Sequence, residues 1–223
     1  MPAINENREG RLATQADSSA ELGWRRVFPD WLRPYVEPQP LGAFFLGVSS
    51  GFPYAMIGAT LTTRLAQDGI TKSTVTTFAL AFLVYNLKFL WAWVVDGVRL
   101  PLIGRLGQRV SWLILAGALV VAAVTNLALQ DPSANIFQTA VAAILVGVAG
   151  ATYDIVIDGY RIEILEPRQL GIGSGMNQYG WRIGSVAAAS LALVLADRVG
   201  WTTAYLACTI FALPAILTGL VLG

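Results

Sequence analysis

The chain has 223 residues, of which 55% are hydrophobic and 13% charged, with a mean hydropathy of +0.59. So little polar surface cannot coat a water-soluble ball of this size, which leaves the lipid bilayer as its natural solvent. A formal net charge of +1 excludes a strongly basic nucleic-acid binder, and with no histidine and one cysteine, Cys208, the chain is expected to hold no disulfide framework, metal or cofactor.

In chain order, residues 1–40 read as a cytoplasmic tail followed by an interfacial segment. The first twenty or so are polar and lack the apolar core of a secretory signal. Residues 24–40 mix Trp, Phe, Tyr, Arg and Pro, as a segment resting at the lipid headgroups does. Residues 41–223 then form one transmembrane domain. Crossing a hydrocarbon core about 30 Å thick takes roughly 20 apolar residues per helix, and six stretches qualify: 41–66, 74–95, 110–129, 136–160, 172–196 and 201–222. The fold class is therefore an all-α membrane protein with six transmembrane helices. Short connections rich in Gly, Pro, Asp and Arg separate the spans. Cys208 falls inside the last span and reads as a small packing residue.

Orientation follows from the bias of Lys and Arg. Arg8, Arg11, Arg25, Arg26 and Arg33 precede the first span, and Arg99, Arg105, Arg109, Arg161 and Arg168 follow the second and fourth. The opposite side has Arg64, Lys72 and Arg198. Ten against three places the N-terminus in the cytoplasm.

Ionisable groups inside spans cost about 2.5–3.5 kcal/mol each on insertion scales and so invite a functional reading. Lys88, Asp154 and Arg182 are the clearest. Arg182 lies near the middle of the fifth span, too deep to snorkel easily; Lys88 fits either a site role or a structural ion pair. Helical spacing then defines three small or polar stripes. These are Gly47, Ser50, Gly51, Tyr54 and Gly58 in the first span; Gly147, Gly150, Ala151, Asp154, Asp158 and Arg161 in the fourth; and Gly175, Gln178, Tyr179, Arg182 and Ser185 in the fifth. Close packing explains most of the glycines, as in Gly180-x-x-x-Gly184. Gln178, Tyr179 and Arg182 on one face suggest instead a water-filled cavity that offers a cation and hydrogen-bonding groups to a substrate. Asp154 and Asp158, one turn apart, either repel so that one carries a proton, or form a charge network with Arg161 and with Lys88 or Arg99. Asp96, with Arg99, Arg105 and Arg109, loosely resembles the cytoplasmic gate loop of major facilitators, with Gly97 where an Arg is usual.

Several strings carry a more specific resemblance. Lys88-Phe-Leu-Trp91 followed by Asp96, Asp154-Ile-Val-Ile-Asp158-Gly-Tyr-Arg161-Ile-Glu163-Ile-Leu165, Tyr179-Gly-Trp-Arg182-Ile-Gly184 and Gly51-Phe-Pro53 are similar to the AmpG-type muropeptide permeases of the major facilitator superfamily. The resemblance runs from about Trp31 to the end; Tyr153 departs from it, since the family usually has Gln there. The related acetyl-CoA transporters share the Lys88 and Asp154 elements. The resemblance implies a bacterial inner-membrane permease that imports anhydromuramyl sugar-peptides from cell-wall turnover with protons, a step in peptidoglycan recycling. It also implies that Arg182, Lys88, Gln178, Tyr179, Asn177 and Tyr54 bind the substrate. Asp154, Asp158, Arg161 and Asp96 form the proton-coupling or charge network. The alternatives are a carrier of another bulky anion such as an acyl-CoA, or a truncated membrane protein that does not transport.

An enzyme is not expected. CDP-alcohol phosphatidyltransferases need Asp-x-x-Asp-Gly, whereas the spacing at Asp154 is Asp-x-x-x-Asp-Gly, and the aspartates expected after Gly171 and Gly175 are missing. Intramembrane aspartyl proteases would use Tyr153-Asp154 but also need a Gly-x-Gly-Asp partner that the chain lacks. The remaining expectation concerns length. Major facilitators have two six-helix halves that rock about a shared site, and this chain supplies the first. It is expected to be a truncated reading frame, with a separate C-terminal six-helix half or a second copy of itself as the other arrangements. The lipid bilayer, the sugar-peptide and protons are its remaining partners, and no nucleic acid is among them.

Overall fold

The computed structural model describes residues 29–71, 75, 78, 80–98 and 107–223, and every regular element among them is helical. Five stretches are long and apolar enough to cross a membrane: Pro38–Gln67, Gln108–Ala128, Ile136–Ile164, Pro167–Val199 and Trp201–Leu222. They correspond to five of the six predicted spans. The expected span over 74–95 falls partly outside the described residues, as do Arg8, Arg11, Arg25, Arg26, Lys72, Arg99, Arg105 and the side chain of Asp96. Ahead of Pro38, Arg33–Tyr35 form a short 3-10 turn in which Arg33 pairs with Asp30.

The first span is two helices joined by a π turn. Helix α1 (Pro38–Ala55) starts on prolines, whose missing N–H costs nothing in a first turn. It also carries Pro53 internally, which withholds one backbone bond. Two residues on, the chain passes through Met56–Thr60, where Gly58 leaves helical geometry, before α2 (Leu61–Gln67) resumes. The carbonyl of Met56 accepts a hydrogen bond from the buried Tyr205 hydroxyl at 3.2 Å. The irregular backbone is thus satisfied from within the protein, as the bilayer requires.

Helices α3 (Leu80–Asn86) and α4 (Phe89–Gly97) follow, with Leu87 and Lys88 in a turn between them. A continuous helix expected to run through residue 95 is therefore interrupted at its one cation, the partly buried Lys88. Gly107, at φ +87°, opens α5 (Gln108–Ala128), and the Trp112 indole donates to the carbonyl of Val98 at 2.9 Å. The next turn is closed by Asp131, whose carboxylate accepts from the Ser133 hydroxyl and the amides of Ser133 and Ala134. Those bonds, the hydroxyl's first, hold its carboxyl below the usual carboxylate range. Asn135 caps α6 (Ile136–Ile164) by accepting from the Gln138 amide at 3.1 Å.

A 3-10 turn at Pro167–Gln169, with a reciprocal Glu166 and Gln169 capping box, leads into α7 (Leu170–Val199). Gly200, at φ +87°, separates it from α8 (Trp201–Cys208), which continues through the 3-10 segment Thr209–Ala212 into α9 (Leu213–Leu222). That change of winding frees backbone groups, and buried side chains meet them: Tyr153 donates to the carbonyl of Ala212 at 2.8 Å, and Ser49 accepts from the Ala215 amide at 2.9 Å.

Two seams hold the bundle. In one, α1 packs against α7. A Cβ placed on Gly47 or Gly51 would overlap the carbonyl oxygen of Asn177 or Trp181, and one on Gly180 or Gly184 that of Phe44 or Val48. Backbones in such proximity maximise van der Waals contact, the main attraction between helices in lipid. In the other, α5 packs against α6 over buried Leu113, Val120, Val124, Val146 and Ile157.

Candidate functional site

The turn between α3 and α4 points the Lys88 ammonium at α6. Its Nζ donates to Oδ2 of Asp154 and, at 3.2 Å, to Oδ2 of Asp158. Asp154 also accepts from the Ser50 hydroxyl on α1 through Oδ1. Oδ1 of Asp158 takes an Arg161 guanidinium nitrogen at 3.3 Å, and Arg161 reaches Ser174 on α7 at 2.9 Å. A polar chain thus runs Ser50, Asp154, Lys88, Asp158, Arg161, Ser174, linking α1, α6, α7 and the α3–α4 turn through two cations and two anions. The side chains of Lys88, Asp154 and Asp158 keep 32%, 20% and 40% of their exposure, so the network is half sheltered. Lys88 between the carboxylates offsets the repulsion that their spacing would otherwise create.

Asp154 lies ten residues, about 15 Å, before the C-terminal end of α6. Flanking it, Trp91 donates its indole N–H to the Thr152 hydroxyl at 3.1 Å. Lys88 and Trp91 of one sequence string therefore grip the same stretch of α6. Further along, Glu163 pairs with Arg109 Nε at 2.6 Å, tying α6 to the start of α5. The proposed gate-loop residue Arg109 belongs to that pair.

Arg182 stands in a different setting. It lies near the middle of α7, on the side away from Gly180 and Gly184, and is exposed together with Gln178 and Tyr179. No ion pair reaches it among the described residues, and no hydrogen bond joins it to Lys88, Asp154 or Asp158. Among the described residues these side chains form a surface rather than the lining of the expected cavity. Two other hollows lie elsewhere. One of about 420 Å³ is lined by apolar residues such as Leu41, Phe45, Pro214 and Leu217, and one of about 330 Å³ lies beside Arg109 and Glu163.

The first-span stripe needs correction. Gly47 and Gly51 do not look onto a polar space but lie against the α7 backbone; only Ser50 of that stripe reaches the charge network, and Gly58 packs on the Phe82 ring. Tyr54, partly exposed, sits among aromatic rings, with centroids 4.8 Å from Phe82, 5.7 Å from Tyr85 and 5.3 Å from Trp181. Asn177 is half buried, and its side-chain oxygen is buried without a partner. Tyr153 is fully buried on a neighbouring face of α6, bonded to Ala212, and none of the hydrogen bonds of the charge network includes it.

Two residues escaped the sequence reading. Arg64, counted among the surface charges, is 5% exposed; it donates to the carbonyl of Leu127 at 3.2 Å and to that of Gln130, and lies over the Tyr205 ring. It caps the C-terminus of α5, a favourable place for a cation. Tyr85 holds a buried hydroxyl without a partner. A lone Tyr in an apolar run gives no signal of either burial or orphanhood.

Comparison with known proteins agrees with the resemblance seen in the strings. The profile described as Major Facilitator Superfamily matches residues 43–223. A putative transporter AmpG 4 of Rickettsia conorii is 35% identical over 157 residues, 70% of this chain and 38% of the relative. The anhydromuropeptide permease of Escherichia coli is 29% identical over 191 residues, 85% of this chain and 38% of the relative. The chain thus spans about 38% of the length of these relatives. No solved structure matches it significantly.

Proposed function

The chain belongs to the Major Facilitator Superfamily, and from that premise we propose that it is the N-terminal six-helix half of a proton-coupled muropeptide permease. The observation that carries the reading is Arg182, a cation at mid-span with no ion pair among the described residues, flanked on the same exposed face by Gln178 and Tyr179. Leaving a charge bare at that depth is costly unless something else covers it. A ligand that has carboxylates, hydroxyls and amides answers all three side chains, and a sugar bearing a short peptide is such a ligand. Relatives that carry the name anhydromuropeptide permease support the choice.

In this reading residues 1–40 lie in the cytoplasm and at the headgroups, consistent with the exposed Trp31. The span over 74–95 crosses as the second of six, and the second half of the fold closes over the α7 face. Substrate enters from the periplasm, and one of its carboxylates competes with Asp154 and Asp158 for Lys88. An aspartate left without its cation takes up a proton, which ties transport to the gradient. In this reading the protein moves its ligand unchanged.

The test is uptake of labelled anhydromuropeptide into cells producing the protein. Uptake is expected to disappear with Arg182→Ala and to collapse when the proton gradient is dissipated. Transport that survives both overturns the assignment, and competition by acyl-CoA but not by muropeptide would transfer it to another bulky anion.

A further inference from the structure

Tyr85 lies on α3, one turn before Lys88, and its ring is held edge-on against Tyr54 with centroids 5.7 Å apart. The hydroxyl projects toward α6 at Gly150: a Cβ there would overlap it, and the same Cβ would touch Pro53 of α1. Glycine at 150 is thus what admits the phenol. Within this close fit the hydroxyl oxygen is buried and has no hydrogen-bond partner. A buried orphan hydroxyl is costly, and a native protein that keeps one invites the question of what it bonds to in another state.

A carboxylate lies in the neighbourhood. Asp154 follows Gly150 by one helical turn on the same face of α6 and lies within electrostatic reach of Tyr85. The charged and titratable groups around the phenol are Asp154 on α6, Tyr54 on α1 and Lys88 beyond the end of α3, with Asp158 a turn further away. Both Asp154 oxygens are engaged in this state, Oδ1 by Ser50 and Oδ2 by Lys88. When Lys88 leaves, Oδ2 needs a new donor. The unpartnered Tyr85 hydroxyl, one helical turn away at Gly150, is placed to supply it.

We propose that Tyr85 is a positioning residue for the proton carrier: its hydroxyl donates to Asp154 in the state where Lys88 has moved away, and stands idle when Lys88 is bound. The inference rests on the proposed cycle only in requiring that Lys88 leave Asp154. No proton leaves the tyrosine; its O–H replaces the lysine N–H as donor and lowers the proton affinity of the carboxyl, so that a proton taken up when Lys88 leaves can be given up again. Substrate departure can then restore the lysine without Asp154 passing through an unbonded charge.

Infrared titration of the protonated carboxyl band, on the purified protein in lipid nanodiscs and without substrate, tests this directly. Asp154→Asn identifies the band. Lys88→Gln mimics the departed lysine, and Tyr85→Phe keeps the ring while deleting the hydroxyl. In the Lys88→Gln background Tyr85→Phe is expected to raise the proton affinity of Asp154 roughly tenfold, about one pH unit in midpoint, and to move the band to higher frequency. With Lys88 present the same substitution should leave the titration unchanged. An equal shift in both backgrounds, or none in Lys88→Gln, overturns the proposal. Should Lys88→Gln fail to fold, Lys88→Gln with Asp158→Asn keeps the cluster neutral and serves as the background. Since no substrate is involved, loss of the muropeptide assignment and loss of the Tyr85 role are separate results.

Discussion

Lys88 and Arg182 are both cations on otherwise apolar helical stretches, and the protein treats them in opposite ways. Lys88 is received by two carboxylates and shares them with Ser50 and Arg161, so its charge is answered inside the chain. Arg182 has no such reception, though it lies near the middle of its helix. Cost is what separates them: a charge paired with hydrogen-bonded partners is tolerable in low dielectric, whereas an unpaired one is not. A cation answered internally can act as a latch that opens. One left unanswered is an offer to a ligand or to a second half of the fold.

The comparison breaks most severely if the scaffold under Arg182 is removed. Gly180→Val would drive a side chain into the Phe44 carbonyl, and a loss above about 4 kcal/mol is expected, the range of severe core disruption. Thermal unfolding in detergent would then show no cooperative transition. Next, Lys88→Ala should destabilise by about 2–3 kcal/mol, below the usual value for an unpaired buried charge because the site is partly exposed. Adding Asp154→Ala should recover part of that loss, and strict additivity of the two in unfolding measurements would mean that the pair is not coupled.

A smaller effect is expected on the neighbouring face of α6. Tyr153→Phe removes the donor to Ala212 and should cost about 1 kcal/mol, with substrate uptake unchanged, because none of the hydrogen bonds of the charge network includes Tyr153. Arg182→Ala should be smallest of all on stability, within about 0.5 kcal/mol, while abolishing uptake. Should Arg182→Ala unfold the protein instead, the cation would be structural and the contrast with Lys88 would fail.

The glycine stripes show how far the pattern could be read. Gly47 with Gly51 and Gly175 with Gln178 have the same helical spacing, yet the first pair is pressed onto a neighbouring backbone while Gly175 has nothing within 4 Å of a notional Cβ. Periodicity tells which residues share a face, not what that face meets. The polar string from Asp154 to Glu163 was legible in more detail, since charged groups in lipid must find partners and few were available: the sequence offered Arg161 with Lys88 or Arg99, and the structure sets Arg161 on Asp158 and Lys88 on both aspartates, while Arg99 lies outside the described residues. Tyr85, Arg64 and the true orientation of Tyr153 were not, because a hydroxyl or guanidinium declares its burial only through the helix that packs over it.

Sequence alone determined that the protein belongs in a membrane and roughly where five apolar helices long enough to cross it lie, and it singled out the few charges inside them. Apolar length and the price of a charge in hydrocarbon are local properties of a helix, so composition and spacing expose them. Tertiary structure decided the rest. It broke the chain at Lys88 and set that ammonium between two carboxylates, turned half of the first-span stripe into a packing seam, and left Arg182 facing outward. Those outcomes depend on which helix lies beside which, and that is settled by long-range packing rather than by any run of residues.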